Sequence, residues 1–209
     1  MSSDALQSLA RAGLFKLGVP RSRGGDGADV RELVRAVAET SARDPAAVST
    51  LVSQRLLIEV LLHSDNLGLS EYQLPRLLEG EIGGNCAALW PQGQGVVPAL
   101  ARDTGRHWRV NGDFATMPNL QGGWFLMSAP IRFEGSAGYS LVLLKSEEQG
   151  LDRLPSGALE LRNVFLWEDE IIANDGAALV EKLRPLSHAL GAAFAAGAGS
   201  HQALQPGLT

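Results

Sequence analysis

Leu74-Pro75-Arg76-Leu77-Leu78-Glu79-Gly80-Glu81 is the stretch across which the hydrophobic period of this chain changes. On its N-terminal side apolar residues recur three and four apart, the spacing that gives a helix one apolar face. On its C-terminal side they come in short runs separated by turn residues, which is the pattern of strands. Helices, then strands, then a last helical segment predict an α+β chain. The expected division is an N-terminal helical domain over residues 1–81, a small antiparallel β-barrel or sandwich over 82–173, and a terminal helix with its tail over 174–209.

Upstream of that stretch, a short helix is expected from about Ser70 to Glu79, carrying Leu74, Leu77 and Leu78. Before it, Asp44-Pro45 reads as a cap followed by a proline at the first helical position. The helix they open should run to about His63, and Val48, Leu51, Val52, Leu56, Leu57, Val60 and Leu61 make it apolar on most sides, as in a buried bundle helix. Asp29 and Glu32 resemble a capping box that opens a helix to about Ala42. Leu6, Leu9, Ala10 and Leu14 give a first helix ending near Gly13, and Gly18-Val19-Pro20 leads into a loop at Gly24-Gly25-Asp26-Gly27.

Downstream, strands are expected at Asn85 to Leu89, Trp108 to Phe114, Trp124 to Ala129, Ser140 to Leu144 and Leu159 to Phe165, with Asn111-Gly112 as a hairpin signal. Gly176 to about Ala196 is helical, and Pro185 should break it into two pieces. A polar tail from Gln202 to Thr209 makes a natural end at Thr209 an expectation.

Composition narrows the functional classes. The chain has 209 residues, a net charge of -5 and no basic stripe, which excludes the electrostatic footprint of a nucleic-acid binder. Cys86 is the single cysteine, so neither an intramolecular disulfide nor a Cys-rich zinc site is available. No apolar run approaches the ~20 residues of a bilayer span, and the first residues lack the charged-then-apolar order of a signal peptide, so a cytoplasmic protein without a membrane partner is expected. Generic catalytic signatures are absent. His63, His107, His188 and His201 lack metal-ligand spacing, and Ser187 and His188 are adjacent rather than poised as nucleophile and base. There is no G-x-S-x-G and no Walker A segment, and the Gly24–Gly27 loop is turn chemistry rather than a dinucleotide fingerprint. Glu168-Asp169-Glu170 reads as a solvated loop.

Five stretches, in order, carry a family resemblance. Ala12 to Pro20 followed by Gly24-Gly25-Asp26-Gly27, then Ala42-Arg43-Asp44-Pro45, Leu74 to Glu81, Trp108-Arg109-Val110-Asn111-Gly112 and Leu159 to Phe165 together resemble the N-terminal and middle domains of the acyl-CoA dehydrogenases. The resemblance implies FAD as cofactor and an acyl-CoA or related small molecule as ligand. It also implies two flavin-contacting segments. The first is a T-E-P-x-x-G-S-D-like loop, aligned here with Leu89-Trp90-Pro91-Gln92-Gly93-Gln94-Gly95-Val96; Leu89 lacks the hydroxyl, and Gly95 and Val96 replace the Ser and Asp. The second is a W-I/V-T/S-N segment, aligned with Phe114-Ala115-Thr116-Met117, where the aromatic ring and the Thr persist. Leu89, Trp90, Phe114 and Thr116 are therefore the candidate cofactor-binding residues.

Arg184 to His201 resembles only the first helix of the family's C-terminal bundle, the element that supplies the catalytic carboxylate. No residue is nominated as that base. Two functional readings follow from the resemblance. One is a non-catalytic or incomplete relative, a subunit that forms a homo-oligomer or pairs with a longer homologue. The other is an acyl-CoA dehydrogenase-like or flavin monooxygenase-like component that works only with a partner supplying the bundle. Trp90, Phe114, Trp124 and the terminal stripe of Leu186, Leu190 and Phe194 are the apolar surfaces such a partner would cover.

Overall fold

The structure is a computed structural model and describes residues 3–89, 97, 99–116 and 125–203. The helical part comprises α1 (Ser3–Arg11), α2 (Val30–Arg43), α3 (Pro45–Leu62) and α4 (Leu67–Leu78), and the strands begin at Gly83. Asp44 caps α3 as its sequence requires, its carboxylate accepting from the amides of Ala46 and Ala47, with Pro45 at the first helical position. The capping box at α2 is only half made. Asp29 accepts from the Arg31 amide at 2.8 Å, but Glu32 pairs with Arg35 one turn on instead of reaching back. The last of these helices starts at Leu67 rather than Ser70, because Asn66 accepts from the Leu69 amide at 3.1 Å and so caps it earlier.

α3 is the centre of the structure. By length and composition it could cross a bilayer, which the sequence reading did not anticipate, but 72% of that stretch is buried inside the protein. A helix apolar on all sides is here a core helix. It also fixes the passage from helix to strand. The Gln54 side chain donates to the carbonyls of Leu77 and Ile82, both at 2.9 Å, and accepts from the Gly84 amide at 2.6 Å. Gly84 lies close under α3: a Cβ there would be 2.7 Å from Cδ2 of Leu57, so that side chain would have to shift.

The strands are β1 (Gly83–Cys86), β2 (Ala99–Asp103), β3 (Trp108–Phe114), β4 (Phe125–Phe133), β5 (Ser140–Lys145), β6 (Leu151–Arg153), β7 (Leu159–Leu166) and β8 (Ile171–Ala173). They form one curled sheet in the order β6-β7-β3-β2-β4-β5-β8, and β1 pairs with β4. Most pairings are antiparallel. The two parallel ones share an edge of β4: β1 runs along Phe125–Ser128 and β2 along Ile131–Phe133. Asn111-Gly112 does not turn a hairpin. It lies within β3, where the register against β7 shifts between Val110 and Gly112. The Asn111 carboxamide oxygen instead accepts from the amide of Asn163, which has φ +55°, so the pair builds a bulge.

Two cores result. The first lies between the helices and one face of the sheet, with Leu51, Leu57, Leu61, Leu77, Leu126, Leu143 and Ile172 among its members. The second fills the curl of the sheet with Val110, Phe114, Phe125, Met127, Val142, Leu159 and Val164. The terminal segment is one helix, α5 (Gly176–Ala203), which continues through Pro185. A proline removes one N–H from the helical ladder, and here α5 is held along its length by other elements. Leu190 is fully buried in the first core, and Leu186 and Phe194 pack against it. The Ser41 hydroxyl of α2 donates to the Phe194 carbonyl at 2.7 Å, and Gly197 sits so close that a Cβ would be 2.4 Å from the Ala38 carbonyl oxygen. The stripe expected to await a partner is therefore already covered within the chain.

Candidate functional site

Three of the four candidate cofactor residues are described, and they do not converge. Leu89 follows β1 and is 5% exposed, with its side chain in the first core. Its carbonyl accepts from the Ser187 hydroxyl of α5 at 2.8 Å. Phe114 ends β3, is paired with Leu159 of β7 and is 4% exposed, and it belongs to the second core. Thr116, two residues on, is exposed, and its hydroxyl donates to the Ser156 carbonyl at 2.8 Å. It also leans on Gly157, where φ is +84° and a Cβ would meet the Thr116 methyl at 3.0 Å. Trp90, the rest of the aligned loop through Val96, Met117 and Trp124 lie outside the described residues.

The edge of the sheet where β3 ends also carries the start of β4, the end of β5 and the start of β7. There the structure reveals a charged cluster that the sequence reading took for a solvated loop. Glu170 is 5% exposed, and its carboxylate takes the Lys145 ammonium at 2.5 Å and the Trp167 amide at 3.0 Å. Glu148 stands 3.7 Å from the same ammonium. Burial alone would lower the Lys145 pKa, but the hydrogen bond and charge of Glu170, with Glu148 and Asp169, outweigh it and raise it. Lys145 is thus held protonated and offers neither a base nor a nucleophile. Burial, then the charge of Glu170, raises the Glu148 pKa against the opposing pull of Lys145. The cluster joins β5 to the segment before β8. Its sequence signal was the i,i+3 pair Lys145 and Glu148; nothing local marked Glu170 as buried.

Other reactive groups are turned inward. Burial pushes the Cys86 thiol up to about 11, against hydrogen bonds with the Leu89 and Ala88 backbone. Arg55 of α3 is fully buried. It donates to the Phe15 carbonyl at 2.9 Å and pairs with Glu59 one turn later. Its pKa is lowered by burial, with Glu59 and Asp26 acting the other way. Among the described residues no three His, Cys, Asp or Glu side chains converge as metal ligands.

Among the described residues, Leu89, Phe114 and Thr116 do not by themselves offer free donors of the kind that the resemblance implies for a flavin. The Leu89 side chain has no donor and is buried. The Phe114 ring faces the sheet interior, and the Thr116 hydroxyl hydrogen is spent on Ser156.

No protein-family model matches the chain. It is 26% identical over 221 residues to a glutaryl-CoA dehydrogenase of Desulfococcus multivorans, covering 96% of this chain and 56% of that protein. A structure from Mycobacterium smegmatis described as an acyl-CoA dehydrogenase matches with a TM-score of 0.83 at 18% identity, over 96% of this chain and 58% of its own. The FAD-complexed acyl-CoA dehydrogenase of Bacillus anthracis matches with a TM-score of 0.75 at 18% identity, over 92% of this chain and 36% of its own. The chain spans a little over half the length of the first two of these proteins. The structural matches establish the acyl-CoA dehydrogenase fold, and the sequence match supports a relationship to that family.

Proposed function

We propose, taking the relationship to the acyl-CoA dehydrogenases as premise, that this chain is an acyl-CoA dehydrogenase-like module that by itself neither retains FAD tightly nor oxidises an acyl-CoA thioester. In this reading it works in the cytoplasm as part of an oligomer, with itself or with a longer homologue. The observation that carries the proposal is the internal commitment of the aligned site residues. Leu89 and Phe114 are core members, and the Thr116 hydroxyl is bonded to Ser156.

Magnitudes support it. Replacement of the aligned Thr and Ser by Leu89 and Gly95 removes two polar side-chain contacts. Each is worth roughly 0.5–3 kcal/mol net. Losing both weakens binding by roughly fivefold to twenty-thousandfold. Dehydrogenation separately needs a carboxylate within hydrogen-bond reach of the substrate carbon. Of the carboxylates near the end of β3, Glu148 and Glu170 are engaged with Lys145 and Glu160 with Arg162.

The test is purification without added flavin, followed by a visible spectrum and an acyl-CoA oxidation assay with an artificial electron acceptor. The proposal expects a colourless protein with no turnover, and light scattering that reports a mass above that of one chain. A yellow protein that turns over acyl-CoA alone, or a monodisperse monomer at micromolar concentration, would overturn it.

A further inference from the structure

A second concave site lies at the opposite end of β3 from Phe114 and Thr116. It is a cleft of about 570 Å³ between the α3–α4 connection and the ends of β3, β4, β5 and β8. Its walls include Trp108 and Phe133, packed edge to face with ring centroids 5.1 Å apart, above Ile171 and Ile172. Asp65 and Glu168 stand on its rim, and among the described residues no Lys or Arg lines it.

The polar groups around the cleft divide into two kinds. Most donors are used up in building it. The Asn66 carboxamide donates to the carbonyls of Asp169 at 2.8 Å and Ile171 at 3.1 Å, the Ser64 hydroxyl to Ile172 at 2.7 Å, and the Ser140 hydroxyl to Asn174 at 3.0 Å. These bonds tie the α3–α4 connection to the segment carrying Glu168, so the two rims are fixed before anything binds. The Asp65 and Glu168 carboxylates, by contrast, have no ion-pair or hydrogen-bond partner among the described residues. The cleft therefore offers unspent acceptors, negative charge and aromatic surface, with neutral donors on its lining from the Trp108 indole, the Ser136 hydroxyl and the Asn174 amide.

We propose that this cleft binds a small organic ammonium cation, its charge between Asp65 and Glu168 and its carbon skeleton against Trp108 and Phe133. An ammonium supplies the charge and donors that the two unpartnered carboxylates can accept, and an aromatic wall attracts a cation by its ring quadrupole. An anion meets two like charges and no counter-charge. A neutral alcohol gains the apolar contact alone. The site is separate from the residues of the proposed function, so either reading can fail without the other.

The test uses the full chain labelled with ¹⁵N, titrated at constant ionic strength with n-butylammonium, n-butanol and butyrate. The Trp108 indole and Asn66 carboxamide signals are followed. Saturable shifts with butylammonium and none with the other two are expected. Asp65→Asn and Glu168→Gln should each weaken binding by roughly two- to fivefold, the range of an exposed ion pair. The double variant should abolish saturation. Both carboxylates are exposed and unpartnered, so unchanged melting is expected, and the alcohol comparison needs no variant. Linear shifts without saturation, an equal response to butanol, or wild-type binding by the double variant would each overturn the proposal.

Discussion

Inside the first core a guanidinium lies fully buried among leucines, bonded to the Phe15 carbonyl and the Glu59 carboxylate, whereas the second core, from Phe114 through Met127 to Leu159, is filled by apolar side chains. The first uses polar bonds to fix where the loop after α1 and the helix-to-strand junction sit on α3. The second is packed mainly from apolar side chains, with the fully buried Asn85 of β1, opposite Met127, as a polar residue beside them. The difference bears on function. At the end of β3 the one hydroxyl of the aligned segment, that of Thr116, is bonded to Ser156 in the loop before β7.

The comparison breaks most visibly at Arg55. Arg55→Met leaves Glu59 buried without its counter-charge and the Phe15 carbonyl without a donor, and should cost about 3–5 kcal/mol in urea unfolding. Adding Glu59→Leu should recover most of that loss, since a buried ion pair exchanged for packed apolar residues is often neutral or better. A single variant as stable as wild type would mean that the guanidinium reaches water.

Alkaline pH separates the faces of β4 next. Cys86 and Ser128 sit on the helix side, and the thiol ionises at about 11 in the fold against about 9 in a free chain. A raised pKa means the unfolded state loses its proton first, so this contribution is intact below pH about 9 and fades as pH rises to about 11, by about 2–3 kcal/mol. Cys86→Ala should flatten the fall in stability over that window, whatever its constant offset. An identical slope in both proteins would contradict the buried thiol.

How much of this was legible in the sequence depended on whether a residue's neighbours were local. The α2 and α3 caps, the buried α3 and the run of β3 from Trp108 to Phe114 follow from side chains acting on their own segment. β2, β6 and β8 were missed: β6 and β8 are three residues each, and β2 ends in Arg102-Asp103, so none has an apolar alternation to read. Pro185 was read as a break because sequence cannot show that α2 and α3 hold α5 on both sides of it. The burial of Arg55 and Glu170 depends on partners up to 40 residues away. At the candidate site, sequence located the strand end carrying Phe114 and Thr116. It could not reveal that the Thr116 hydroxyl turns to Ser156, a bond formed across the loop before β7.

The smallest expected stability effect is at that bond. Thr116 is exposed, so Thr116→Val should cost at most about 1 kcal/mol. A loss well beyond that would mean that the strand-end loop is part of the core rather than laid over it.

The most direct test of the internal commitment of the site residues is an equilibrium titration of FAD into the purified full chain, followed by flavin fluorescence, in parallel with Thr116→Val. If Leu89, Phe114 and Thr116 are committed to their own fold, FAD binds more weakly than about 1 μM, a free energy smaller than about 8 kcal/mol, and the variant titrates like the parent. Stoichiometric binding tighter than that limit, reduced at least tenfold by Thr116→Val, would contradict the account by showing the hydroxyl turned to the flavin.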